Sequence, residues 1–148
     1  MVRDLLFPAF MNHLELYNRI YKFSLDVEAF VAPLYASKVT ADIADQLSRA
    51  ARGAASNYRS VSHGRTNGEF RSNLTLALEE ADEAQHWLRH LVDSGLASGP
   101  TVVSLLKESR EISAILGASV RTATLNARAR GEDLRPRRGR RRPRAGCR

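Results

Sequence analysis

A chain of 148 residues is long enough to bury a core without disulfides or a structural metal. Its single cysteine, Cys147, cannot pair internally, which points to a reduced, cytoplasmic setting, and no apolar run approaches the roughly 18 residues of a membrane span. The net charge of +7 is unevenly placed: from residue 129 onward nine arginines face only Glu132 and Asp133, while residues 1–128 balance 14 basic against 14 acidic side chains. The basic character therefore belongs to the C-terminal 20 residues, as in tails that hold polyanions.

The N-terminal stretch Leu5–Met11 is apolar but is interrupted by Pro8 and preceded by Asp4, with no small-residue cleavage site after it, so a secretory signal is not expected. The first amphipathic segment covers about 10–31, with Leu14, Ile20, Phe23, Val27, Phe30 and Val31 near helical spacing, and Pro33 closes it. The second covers about 38–62, with Val39, Ile43, Leu47, Ala50, Ala54, Tyr58 and Val61 on one face. His63 to Gly68 then reads as a loop. The third covers about 69–93, with Phe70, Leu74, Leu78, Ala81, Leu88 and Val92 as its stripe and Asn67 as the expected N-cap. Ser94-Gly95 stops it. The fourth begins after Gly99-Pro100-Thr101, carries Val102, Leu105, Leu106, Ile112, Ile115, Leu116 and Val120, and fades near Arg128.

No segment alternates with a period of two. Four helices of twenty-odd residues joined by short loops predict an all-α, antiparallel up-down four-helix bundle over residues 1–128. Residues 129–148 have Pro136, Pro143 and arginine runs with almost no apolar side chains, and are expected to form a disordered Arg-rich tail. The tail either binds a polyanion or is a solvated extension without a role.

Two helix faces carry information. Glu79, Glu80, Asp82 and Glu83 have no lysine or arginine at helical spacing, and Glu79 and Glu83 repel at i,i+4. Arg52 and Arg59 lie seven residues apart opposite the second helix's core stripe, and Arg49 has only Asp45. Arg–Glu contacts between helices or subunits would satisfy both sets; the plainer reading is two solvated charged faces. Leu76 and Trp87 share a flank of the third helix beside Glu80 and Glu83, off the main apolar arc. That flank suggests a self-association surface built from Leu76, Glu79, Glu80, Glu83, Trp87 and Arg49. The plainer alternative is that Trp87 widens the core stripe.

Glu83, His86 and His90 stand at metal-ligand spacing, but a di-iron bundle needs two more glutamates on facing helices and a second Glu-x-x-His, which is missing, and both histidines fall on the polar side of the helix. No metal, cofactor or catalytic set is expected, and the chain does not read as an enzyme.

The run Arg49-Ala50-Ala51-Arg52-Gly53-Ala54-Ala55-Ser56-Asn57-Tyr58-Arg59, followed by Glu69-Phe70, Leu74, Leu78-Glu79-Glu80-Ala81-Asp82-Glu83 and Trp87-Leu88, resembles the four-helix bundle family associated with intervening sequences in bacterial 23S ribosomal RNA genes. The resemblance spans about residues 12–125. It implies an antiparallel bundle assembling into a homopentamer, without enzymatic activity. It also implies kinship with the accessory variability protein of diversity-generating retroelements, a basic pentamer that binds nucleic acid and a reverse transcriptase. Many family members carry Asn-Ile-Ala-Glu-Gly where this chain has Asn57-Tyr58-Arg59-Ser60-Val61. The glutamate of that pattern is not carried over.

The leading expectation is a non-enzymatic oligomer that binds RNA or DNA through Arg52, Arg59, Arg65, Arg137, Arg138, Arg140, Arg141 and Arg142 without strong sequence preference. The alternative is a scaffold for a protein partner such as a reverse transcriptase, with no nucleic-acid role.

Overall fold

The structure, a computed structural model, describes residues 11–132 and 134. Four helices follow one another: α1 (His13–Val31), α2 (Lys38–Val61), α3 (Asn67–Asp93) and α4 (Pro100–Ala129). A short 3-10 turn, Ala32–Ala36, links the first two, and no strand occurs among the described residues. Each helix packs on its sequence neighbours, and α1 touches α4 along a shorter stretch that closes the bundle. Side-chain bonds fix the directions as antiparallel. Ser48 donates to Glu28 between α2 and α1 (2.6 Å), Asn73 donates to the Ser60 carbonyl between α3 and α2 (3.0 Å), and Arg71 reaches Glu132 just past α4 (3.0 Å).

Local chemistry sets the helix limits. Asn12 caps α1: its side chain accepts from the Glu15 amide while Glu15 accepts from the Asn12 amide, both at 2.9 Å, so two free donors are satisfied reciprocally. Ser37 caps α2 after the Pro33 turn. At α3 the cap is Thr66, one residue earlier than expected, and Asn67 is the first helical residue. The hydroxyl of Thr66 accepts from the Glu69 amide, and Glu69 in turn accepts from the Arg65 amide. Helices α3 and α4 both end on a left-handed glycine, Gly95 (φ 71°) and Gly131 (φ 70°). After α4 the amides of Gly131 and Glu132 turn back to the carbonyls of Arg128 and Ala127, which removes two unsatisfied acceptors.

The core follows the expected stripes, with two corrections. Leu14 (63% exposed) and Val39 (65%) face water, and Leu16 takes the first core position of α1. Both lie in the first turn of their helix on the side turned to solvent, whereas Leu16 and Thr40 in the same turns are buried. The α2–α3 seam is lined with alanines (Ala50, Ala51, Ala54 and Ala55 against Ala77, Ala81 and Ala84), which lets these two backbones approach closely. The ring of Tyr58 is fully buried and stacks on His13 at 4.8 Å between centroids.

Candidate nucleic-acid interface

Up-down topology brings the start of α1, the end of α2, the start of α3 and the end of α4 to one end of the bundle. The His13–Tyr58 stack and the bonds from Asn67 and Arg71 to Glu132 mark that end. It holds Arg59 in the last turn of α2, Arg65 in the loop to α3, and Arg128 and Arg130 at the close of α4. Arg59, Arg65 and Arg128 are exposed and form no ion pair among the described residues. Arg130 and Arg71 share Glu132, whose carboxyl is held below its usual range first by the hydrogen bond from Arg130 and then by that from Arg71. The C-terminal segment leaves from this same end. Its arginines at 137, 138, 140, 141 and 142 lie outside the described residues.

Arg52 is placed differently. Its Nε sits 3.2 Å from Glu28 of α1, and that carboxylate also accepts from Ser48. The expected interhelical Arg–Glu contact thus exists, but with α1 instead of the acidic run of α3. Arg49 pairs with Asp45 on its own helix at 3.4 Å.

The acidic run on α3 has no cationic partner among the described residues. Glu80 lies over Gly53 of α2, and a Cβ at that glycine would sit 2.7 Å from the Glu80 carboxyl carbon. Burial, then the charges of Glu83 and Glu79, push the Glu80 carboxyl above its ordinary range. Glu83 accepts from the Trp87 indole at 3.3 Å. Trp87 itself is half-buried against the core, whereas Leu76 is 42% exposed. Glu79, Glu80 and Glu83 therefore form a negative surface around an accessible leucine, with Arg49 on the neighbouring helix.

His86 and His90 are exposed and stack ring on ring at 6.4 Å. Among the described residues no three acidic, histidine or cysteine side chains come close enough together to hold a metal ion, and no helix is long and apolar enough to cross a membrane.

Sequence reading missed the polar clamp between α1 and α4. Arg19 donates to both Glu108 oxygens (2.6 and 2.8 Å) and to Glu111 (2.5 Å). The carboxylates, Glu108 first, hold Arg19 more firmly protonated than usual. The clamp spans the joint with the least helix–helix contact, beside a cleft of about 490 Å³ floored by Phe23 and Leu105. The signal available beforehand was Glu108 and Glu111, three apart on one helix; their partner on α1 had no local signature.

Comparison with known proteins locates the fold. A family model described as "23S rRNA-intervening sequence protein" matches residues 12–118. Among solved structures, a protein with unknown function from the S23 ribosomal protein family of Bacteroides thetaiotaomicron superposes with a TM-score of 0.66 at 20% identity, covering 71% of this chain and 97% of that one. At that identity the likeness speaks for the fold alone. No curated protein matches the chain.

Proposed function

The chain belongs to the family of 23S rRNA-intervening sequence proteins, and from the placement of its charges we propose that it is a non-enzymatic, cytoplasmic bundle that binds RNA or DNA through arginine–phosphate contacts. One observation carries this reading: the uncompensated Arg59, Arg65 and Arg128 gather at the end of the bundle from which the arginine-rich segment departs. Guanidinium groups without acidic partners are free to take phosphate oxygens, and each contact releases condensed counterions. Arg52, already bonded to Glu28, contributes less than the sequence alone suggests. Self-association through Leu76 and the neighbouring carboxylates would set several such ends side by side and raise affinity by avidity.

The test is binding of labelled RNA and labelled duplex DNA across a salt series. The wild-type chain is compared with a variant in which Arg137, Arg138, Arg140, Arg141 and Arg142 become serine, and with Arg59→Ala/Arg65→Ala. Steep salt dependence that flattens in both variants supports the reading. Absence of binding by the wild-type chain near physiological salt refutes it.

A second reading, docking of a protein partner, has one favouring observation. Leu14, Tyr21 and Leu25 form an exposed apolar line on α1, seven and four residues apart. Capture of a protein from lysate that survives nuclease and is lost in Leu14→Ser/Leu25→Ser would favour it.

A further inference from the structure

We infer that the nucleic-acid surface extends from the basic end along the outer face of α4, where Arg110, Arg121 and Arg128 form a rail for a phosphodiester backbone. This rests on the proposal above and assigns it a surface on the folded body. The three arginines are 11 and 7 residues apart, within about 20° of one another around the helix. That face flanks the buried stripe centred on Leu105, Ile112 and Leu116, with buried Leu106 at its near edge about 40° from Arg110. All three are exposed, and none forms an ion pair among the described residues. Neither Arg110 nor Arg121 has an acidic residue three or four positions away on α4. Arg128 stands at the C-terminus of its helix, where the dipole favours a cation, so its position has a structural reason of its own. Arg110 and Arg121 sit too far inside the helix for that to apply.

Between Arg110 and Arg121 the same face carries only small residues, Ala114, Gly117 and Ala118. A Cβ at Gly117 would meet nothing but the Arg121 guanidinium, at 3.6 Å. The result is a low, smooth stretch of helix flanked by two cations, which a sugar-phosphate chain can approach without displacing protein atoms. The rail is roughly 27 Å long, the axial rise of about eight phosphates on one strand of B-form duplex. Its C-terminal end runs into the basic end already described, so one strand can follow both. The chemistry it reads is the phosphate backbone, shared by RNA and DNA. No aromatic side chain stands on this face to stack a base.

Charge on the adjoining helix gives the surface an edge. Asp82 lies 11 residues from Arg71 on α3, and Arg71 is the α3 side chain that reaches past the end of α4 to Glu132. Asp82 is thus the acid of the α3 run on the α4 side. It forms no ion pair among the described residues, so it repels a strand lying on α4.

The experiment uses the full chain with a labelled RNA and a labelled duplex DNA. Arg110→Ala/Arg121→Ala is compared with wild type and with a charge-matched control, Lys22→Ala/Arg89→Ala, whose cations already pair with Asp26 and Asp93. Circular dichroism checks that each variant keeps its helix content. The rail predicts that the log affinity against log salt slope falls by about 2 in the double variant, with affinity down by about 10- to 100-fold near 0.1 M salt. It also predicts no slope change in the control and tighter binding by Asp82→Asn. Weakening for both RNA and DNA, or for one of them, supports the rail. Steep wild-type binding that the double variant retains like the control overturns the rail and leaves the basic end standing. Failure of the wild-type chain to bind either nucleic acid removes the underlying proposal instead.

Discussion

Replacing Glu80 with glutamine tests the α2–α3 seam, because the carboxylate is held where an ion is unwelcome. It lies over Gly53, partly shielded from water, between Glu79 and Glu83, with no cation to answer it among the described residues. Its folded-state pKa is therefore raised above the unfolded one. For an acid this means that the folded state is favoured while the group is protonated, and that stability is lost as pH rises through the folded-state pKa. Like charges at helical spacing cost a few tenths of a kcal/mol each, and partial desolvation adds a similar amount. Glu80→Gln keeps the shape and removes the charge. It should stabilise the bundle at pH 7 by about 0.5–1 kcal/mol, or a few degrees in Tm. The gain should shrink steadily as pH falls toward and below the ordinary carboxylate range. Gly53→Ala sharpens the argument. Alanine in a helix interior gains up to about 1 kcal/mol over glycine, but here its Cβ displaces the end of the Glu80 side chain. The gain should be larger in a Glu80→Ala background than in the wild type. The assay is thermal and urea unfolding of the four variants at pH 7, 5.5 and 4.5. A Glu80→Gln variant less stable than wild type at pH 7, or a gain independent of pH, would refute the reasoning, since either requires a partner for the ionised carboxylate.

Further substitutions probe other joints. Arg19→Met keeps the aliphatic stem and removes the clamp on Glu108 and Glu111, leaving two carboxylates side by side at a quarter- to half-exposed site; the expected loss is about 1–2 kcal/mol, measured by urea unfolding, and it should largely disappear in a Glu108→Gln/Glu111→Gln background. Tyr58→Phe removes a buried hydroxyl that has no hydrogen-bond partner among the described residues, so stability should change by less than about 1 kcal/mol and can rise; a loss beyond about 2 kcal/mol would contradict the unpartnered assignment. Thr66→Ala should cost about 1 kcal/mol through loss of the α3 cap, and Asn67→Ala clearly less, because the Asn67 side chain makes only a long 3.4 Å bond to Glu132; the reverse order in thermal unfolding would return the cap to Asn67.

Most of the fold was legible because the signals that set it are local. Apolar spacing near 3.6, Pro33, the Ser94-Gly95 stop and the Gly99-Pro100 start each act within a few residues, and the observed helix limits fall within three residues of those expected. The errors came at helix ends. Leu14 and Val39 lie on the solvent side of first turns whose other side, Leu16 and Thr40, is buried, and Thr66 competes with Asn67 as a cap on nearly equal chemistry.

The candidate interface was legible to a smaller degree, for a geometric reason. Periodicity fixes which side of a helix faces the core, but not which neighbour lies to its left or right. From α2 alone, Arg52 could reach an acid on α1 or on α3, and only assembly assigned it to Glu28. The same ambiguity hid Arg19 from Glu108 and Glu111. What topology does fix without handedness is which termini share an end. In any up-down bundle the odd helices start where the even ones finish, so Arg59, Arg65 and the departure point of the C-terminal arginines must meet. Chirality of the bundle leaves that meeting unchanged, whereas it decides every lateral pair. The basic end is accordingly the part of the proposed site that topology alone places, and the proposed α4 rail is the part that required knowing where each neighbour sits.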